Sequence, residues 1–233
     1  MTRINKYLAE KQYASRREAD VLIQEGKVFI NDKRAKLGDV VKEGDEVRVT
    51  GIEQSNKAYY AYYKPRGIVT VNAQYKNEQE IKDITKFPER VYPLGRLDKE
   101  SEGLLILTND GRLTDALLNP KRKHEKEYSV EVNEKLTNSH IQKLQHGIDI
   151  GHVGATKRYV TKPALVRRTG PQSFDIVLTE GKNRQIRRMC GALGLRVDRL
   201  KRFRILNIEI DGLKPGQFKK IDGEGLKKLL KVL

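Results

Sequence analysis

The run Gly103 to Thr108, GLLILT, constrains this chain more than any other stretch. It is too short for an ordinary helix. Bounded by Gly103 itself and by Asn109-Asp110-Gly111, it reads as a buried strand. A short polar loop holding Arg96 and Asp98 precedes it. Gly95 and Gly103 flank that loop and allow the backbone to bend where side chains would crowd it. The expectation is that Asp98 sits at the mouth of a rigid sheet. A carboxylate placed there can act as nucleophile, acid or base. Spacing alone favours the plainer reading, a loop aspartate that closes a turn.

The longer stretch from Val91 to Gly111, VYPLGRLDKESEGLLILTNDG, closely resembles the signature of the pseudouridine synthases, in the branch that modifies bacterial ribosomal RNA. In that family Gly-Arg-Leu-Asp precedes a Gly-Leu-Leu strand and an Asn-Asp-Gly turn, and the aspartate is the essential catalytic residue. Gly95 to Asp98, Gly103 to Leu105 and Asn109 to Gly111 match it. Ser101 stands where threonine is common.

Charge agrees with a nucleic-acid partner. Lys and Arg total 47 against 31 Asp and Glu, a formal charge of +16 over 233 residues. A pI near 9.8 is the electrostatic footprint of a nucleic-acid binder. No stretch approaches the roughly 18 apolar residues of a membrane span, and the N-terminus lacks a signal-peptide apolar core. The expectation is a cytoplasmic protein with no membrane partner. Cys190 is alone, which excludes an intrachain disulfide and a cysteine zinc cluster. The four histidines have no metal-ligand spacing, so no metal is expected.

Residues 1–50 read as helix, helix and small sheet. Ile4, Tyr7 and Leu8 have amphipathic spacing. Ser15 and Glu18 fit a capping box opening a second helix, with Ala19, Leu22 and Ile23 as its buried stripe, ending at Gly26. Lys27 to Ile30 reads as a strand. The segment SRREADVLIQEGKVFINDKRA resembles the alpha-L RNA-binding domain shared with a small-subunit ribosomal protein. That resemblance implies Arg16, Arg17, Lys27 and Lys33 as phosphate contacts, which position RNA rather than select its sequence. The unit holds 11 basic and 9 acidic residues, so such contact depends on clustering, not bulk charge.

Residues 51–57 are polar and read as a linker to a larger domain, 58–233. Ala58 to Tyr63 reads as a strand, with its tyrosines packed as core rather than as a stacking platform. Ile68 to Val71 resumes strand after the turn at Lys64-Pro65-Arg66-Gly67. The Lys-Pro-x-Gly pattern resembles the first family motif, which supports the site. Leu113 to Leu118 reads as helix, and Lys121 to Lys123 as a basic loop. In HEKEYSVEV, Tyr128, Val130 and Val132 share one strand face. The resemblance implies that Tyr128, in a Lys-x-Tyr pattern, stacks on the target uracil, as suits a base held outside its helix.

Leu136 to His146 has helical periodicity, and Arg158 to Arg168 and Ser173 to Thr179 read as strands. The segment from Lys182 to Arg204 carries nine basic residues and one acidic, Asp198, a strong local field. Asn183 to Leu193 reads as helix, with Ile186, Met189, Cys190 and Leu193 as its apolar stripe. Leu206 to Ile210 and Leu226 to Leu233 read as strand and helix. EGKNRQIRRMCGALG is similar to the third family motif, in which an arginine pairs with the catalytic aspartate. Gln185-Ile186-Arg187 matches, so Arg187 is implied. Arg184 stands where sister branches often have His, and Arg184 and Arg188 are further candidate RNA contacts. Arg96 is implied to fill the gap that a flipped base leaves.

The resemblance implies an α+β fold. A small helix-helix-sheet RNA-binding domain precedes a catalytic domain with a mixed, mainly antiparallel sheet. It implies isomerisation of uridine in ribosomal RNA, with large-subunit 23S RNA ahead of small-subunit RNA or tRNA and no cofactor. The partner is ribosomal RNA or an assembling subunit, and the net charge points to a monomer. The competing classes are a non-catalytic ribosome-assembly protein and a nucleosidase-like hydrolase using Asp98.

Overall fold

The structure is a computed structural model that describes residues 1–11, 13–14, 16–51, 57–119, 122–154 and 158–233, the side chain of Asp115 excepted. Ser15, residues 52–56 of the expected linker, and Lys121 of the expected basic loop lie outside the described residues.

In the N-terminal unit, β1 (Thr2–Arg3) leads into α1 (Ile4–Glu10), followed by α2 (Arg16–Gln24). Four short strands follow: β2 (Val28–Ile30), β3 (Lys33–Arg34), β4 (Val40–Val41) and β5 (Val47–Val49). β2 is the middle strand between β3 and β5, and β1 pairs with β4. The three- and four-residue spacing of Ile4 and Leu8, and of Ala19, Leu22 and Ile23, puts these side chains into one core with Val28, Ala35 and Val41.

The larger part begins with β6 (Tyr59–Lys64), α3 (Ile81–Ile84), β7 (Tyr92–Pro93), β8 (Glu102–Thr108) and α4 (Arg112–Leu118). It continues with β9 (Lys126–Val132), α5 (Asn138–His146), β10 (Leu165–Gly170), β11 (Ser173–Leu178) and α6 (Gln185–Gly191). It ends with β12 (Val197–Ile205), β13 (Ile208–Glu209), β14 (Phe218–Lys220) and α7 (Gly223–Leu230). The strands form one sheet in the order β10-β11-β9-β12-β8-β6-β14, with β13 on β12 and β7 on β8. β12 and β8 run parallel and the other pairs antiparallel. The sheet is thus mixed and mainly antiparallel, as expected.

β8 is buried along its whole length. Its alternate residues serve two cores. Leu105 and Leu107 join Tyr60, Tyr62 and Tyr128 on one face. Leu104 and Ile106 join Tyr59, Ala61 and Tyr63 on the other, under α4 and α7. Period-two alternation in a strand covered on both sides produces this split. The β6 tyrosines are core residues, each 4% exposed or less.

Three strand expectations are corrected. Residues 68–71 make only a bridge, Val69 to Glu80, because Thr70 turns its side chain to another loop. The strand expected from Arg158 begins at Leu165, since Pro163 has no N–H to donate. Leu206 to Ile210 shrinks to β13, with Leu206 in the left-handed region at φ +51°. β12 was not foreseen. Its nine residues hold both halves of the sheet together.

Candidate active site

A cleft of about 520 Å³ opens where the loop before β8, strands β9 and β12, and the segment entering α6 converge. That volume suits a small organic group such as a nucleobase with its sugar. Arg96, Asp98, Lys126, Tyr128, Arg184 and Arg202 all line it. A smaller cleft, about 260 Å³, lies on the other face of β9 and β12 beside Ser129 and Lys201 and contains none of these groups.

The Asp98 loop is fastened through its backbone. Gly95 takes φ +78°, a value that favours glycine. The Leu97 N–H donates to the Thr70 hydroxyl at 3.2 Å, and that hydroxyl donates to the Leu97 carbonyl at 2.8 Å. The Ser101 N–H donates to the Asp98 carbonyl at 3.0 Å, and the Gly67 N–H to the Lys99 carbonyl at 2.7 Å. The Lys64 ammonium, fully buried, donates to the carbonyls of Ile68 at 2.6 Å and Pro65 at 2.9 Å. Burial pushes this ammonium down to about 8, against the opposing pull of the Asp98 and Glu102 charges. Among the described residues, no hydrogen bond or ion pair within 4 Å engages the half-buried Asp98 side chain. A rigid backbone thus presents a carboxylate whose oxygens remain available to a ligand.

Arg187 lies behind this loop. Its Nη1 donates to the Val197 carbonyl at 3.1 Å. Its Nη2 donates to the Glu100 carbonyl at 3.2 Å and the Ser101 hydroxyl at 3.4 Å. Its Nε is 3.9 Å from the Glu100 carboxylate. Burial lowers the affinity of this guanidinium for its proton, and the Glu100 and Asp98 charges oppose that. The structure therefore couples Arg187 to Asp98 through the field and through the shared loop. The direct ion pair implied by the resemblance is not formed among the described residues: three backbone or hydroxyl oxygens hold Nη1 and Nη2, and the buried Nε has no hydrogen-bond partner there.

Tyr128 stands on the cleft face of β9, 9% exposed. Its cross-strand partner is Arg202, whose guanidinium carbon lies 6.0 Å from the ring centre. Asp98 and Tyr128 thus share one cleft, and Arg187 braces it from behind.

The other sequence candidates divide. Arg96 is exposed on the cleft rim. Arg184, in the left-handed region at φ 49°, precedes α6 and pairs with Glu100 at 3.1 Å. Arg188 is turned inward, its Nη2 donating to the carbonyls of Ile150 and His152. Its expected place as a phosphate contact becomes that of a brace between α6 and that loop. Arg16, Arg17, Lys27 and Lys33 are exposed on the N-terminal unit, and Lys27 pairs with Glu25 at 2.7 Å.

The basic run is also less free than its charge count implies. Arg196 pairs with Asp198, Arg199 with Glu102, and Arg204 with Glu125 and Glu127. Sequence reasoning passed over Thr70, Lys126, Glu180 and Arg202. Glu180 accepts from the Tyr159 hydroxyl at 2.6 Å and from the Gln185 amide at 2.9 Å, which fixes the entry to α6. Spacing carried no signal for Thr70. The Lys-x-Tyr pattern pointed at Lys126, and Arg202 was hidden in the basic run. Among the described residues no group of three or more His, Cys, Asp or Glu could hold a metal ion. No described helix is long and apolar enough to cross a membrane.

Comparison with known proteins agrees with this geometry. Residues 2–47 match the S4 domain. The chain is 40% identical over 236 residues to the dual-specificity RNA pseudouridine synthase RluF of Escherichia coli strain K12, covering 99% of this chain and 79% of that protein. It is 34% identical to the ribosomal large subunit pseudouridine synthase B of Bacillus subtilis strain 168, covering 98% and 96%. A crystal structure of a pseudouridylate synthase superposes with a TM-score of 0.70 at 27% identity, covering 98% of this chain and 100% of that one. Residues 58–192 match the RNA pseudouridylate synthase family, and the chain belongs to that family: it is a pseudouridine synthase with an N-terminal S4 domain.

Proposed function

We propose that this enzyme isomerises uridine to pseudouridine in ribosomal RNA, with large-subunit RNA as its main substrate and Asp98 as its nucleophile. One observation carries the assignment of Asp98. Its carboxylate faces the cleft beside Tyr128 without a partner among the described residues, while Thr70, Lys64 (to the Lys99 carbonyl, 3.5 Å) and Arg187 fasten the loop that bears it. The names of the relatives support ribosomal RNA as substrate.

In the reaction the bond from ribose C1′ to N1 breaks, the uracil turns, and C5 takes the place of N1 while losing its proton. Attack by Asp98 at C1′ or at C6 of the ring serves this sequence equally. Tyr128 supplies the stacking floor for a base taken out of its helix. Arg96, a flat cation at the rim, fills the gap that the base leaves. Arg187 and Arg184 hold the loop through Glu100. Arg16, Arg17 and Lys33 contact phosphates and help offset the few kcal/mol that flipping costs. The enzyme acts as a monomer, kept apart from its copies by a charge of +16.

Tritium release from 5-tritiated uridine tests the reading, with 23S RNA, 16S RNA and tRNA as separate substrates. Release from 23S RNA is expected with wild type and none with Asp98→Ala, which still binds the RNA. Undiminished release from the variant rules out Asp98 as nucleophile. RNA binding by wild type without any release favours a non-catalytic assembly protein, and free uracil as product favours a hydrolase. Release from tRNA as well would show a second class of RNA substrate.

A further inference from the structure

Two cations lie on the cleft floor on either side of the predicted stacking tyrosine. Lys126 and Tyr128 are two residues apart on β9, so their side chains share a face. Arg202 lies directly across the antiparallel ladder from Tyr128, which puts its side chain on the same face. Its parallel neighbour on β8 is Gly103, which contributes no side chain there. Lys126, Tyr128 and Arg202 thus form one continuous strip of the cleft wall.

Among the described residues no carboxylate neutralises either cation. Arg202 is 4% exposed. Its Nε donates to the Leu104 carbonyl at 2.8 Å, while its buried Nη2 has no hydrogen-bond partner. Among the described residues no carboxylate lies within 4 Å of it. Among the described residues the Lys126 ammonium reaches only the His124 carbonyl, at 3.4 Å. Burial and the Arg202 charge push that ammonium down to about 8. A buried, unpaired guanidinium beside a second cation is costly to hold. Such an arrangement is complementary to negative charge arriving with a ligand.

The proposed reaction generates that charge at this place. With uracil on Tyr128, rupture of the C1′–N1 bond leaves its electron pair on N1, shared with O2 and O4. Attack at C6 instead drives electrons onto O4. Either route makes the ring an anion while it rests between Arg202 and Lys126. We infer that Arg202 and Lys126 are catalytic residues that bind the uracil oxygens and stabilise the uracil anion. The charge is discharged when C5 bonds to the ribose carbon. C5 then loses a proton and N1 gains one, so the products balance with no co-reactant. This rests on the functional reading above, in particular on the base lying against Tyr128.

The test separates binding from chemistry. Arg202→Met, Arg202→Lys and Lys126→Met are compared with wild type for RNA affinity and for single-turnover isomerisation at saturating RNA. The Met variants are expected to lose about 100-fold or more in rate, the scale for removing one donor to a developing anion. Their affinity should stay within about threefold, and Arg202→Lys should recover part of the rate. If Arg202→Met fails to fold, the half-buried Lys126→Met carries the test. Met variants as fast as a wild type that isomerises uridine overturn this inference alone. Affinity weakened as much as rate also overturns it, because the cations would then hold a phosphate. A wild type that isomerises no uridine overturns the functional reading and this inference together.

Discussion

Thr70 shows how much of a reactive group's geometry is set by residues that do no chemistry. Its hydroxyl is 3% exposed and binds both backbone groups of the residue before Asp98. Thr70→Val keeps the shape and leaves a buried N–H and carbonyl unpaired. The expected loss is about 1–3 kcal/mol, read as a lower urea midpoint, together with slower tritium release as Asp98 drifts. Arg187→Lys is expected to bind RNA normally and turn over at least about tenfold more slowly. A point-charge ammonium cannot span Val197, Glu100 and Ser101 as the planar guanidinium does. The positions of Asp98 and Tyr128 were legible because motif and strand pattern agree there. Thr70 was not. Nothing in the sequence of a bridge residue says that it will reach a loop 27 positions away.

At the scale of elements, legibility followed burial. β8 stands out in the sequence because it is covered on both faces, so every residue after Glu102 is apolar or small. β12 is as central but carries polar side chains, most of which the fold engages one by one while Arg202 is left without a carboxylate partner among the described residues. Arg199 pairs with Glu102, Lys201 lies 5.3 Å from the Tyr63 ring centre, and Arg204 pairs with Glu127. Its pairing with β9 also shifts register twice, between Val197 and Arg199 and between Arg202 and Arg204, which erases any clean alternation. The two central strands meet at Gly103. A Cβ built there would stand 2.2 Å from the Arg202 carbonyl oxygen, at a φ of +113°. Gly103→Ala must therefore push β8 from β12, and we expect at least about 2 kcal/mol of destabilisation by urea unfolding. Gly181→Ala, with open space around it, should be nearly neutral in the same assay.

Over the whole molecule, buried phenols decide the alkaline limit. Burial, with Glu89, Glu102 and Glu180 as acceptors, pushes Tyr60, Tyr63 and Tyr159 up to about 12. Unfolded tyrosines ionise near 10. Above that pH the unfolded chain sheds protons that the native state keeps, so stability falls as pH rises towards 12. Lys64 and Lys126, held near 8, act in the opposite sense. The unfolded chain binds more protons between about 8 and 10.5, so their contribution rises with pH. Urea midpoints should hold or rise from pH 8 to about 9.5 and drop steeply beyond 10. RNA binding should weaken with salt, and the triple change Arg16→Ala, Arg17→Ala, Lys33→Ala should reduce the salt slope by about 2, at about 0.7 per phosphate contact. The parallel pairing of β8 with β12 also has a consequence in time. Glu102 and Lys201 are neighbours in space but almost a hundred residues apart in the chain. During synthesis Asp98 emerges long before the strand that closes the wall beside it. A nascent chain halted before Val197 holds the whole S4 domain, yet it has no finished pocket. Competence arrives only once β12 has been made.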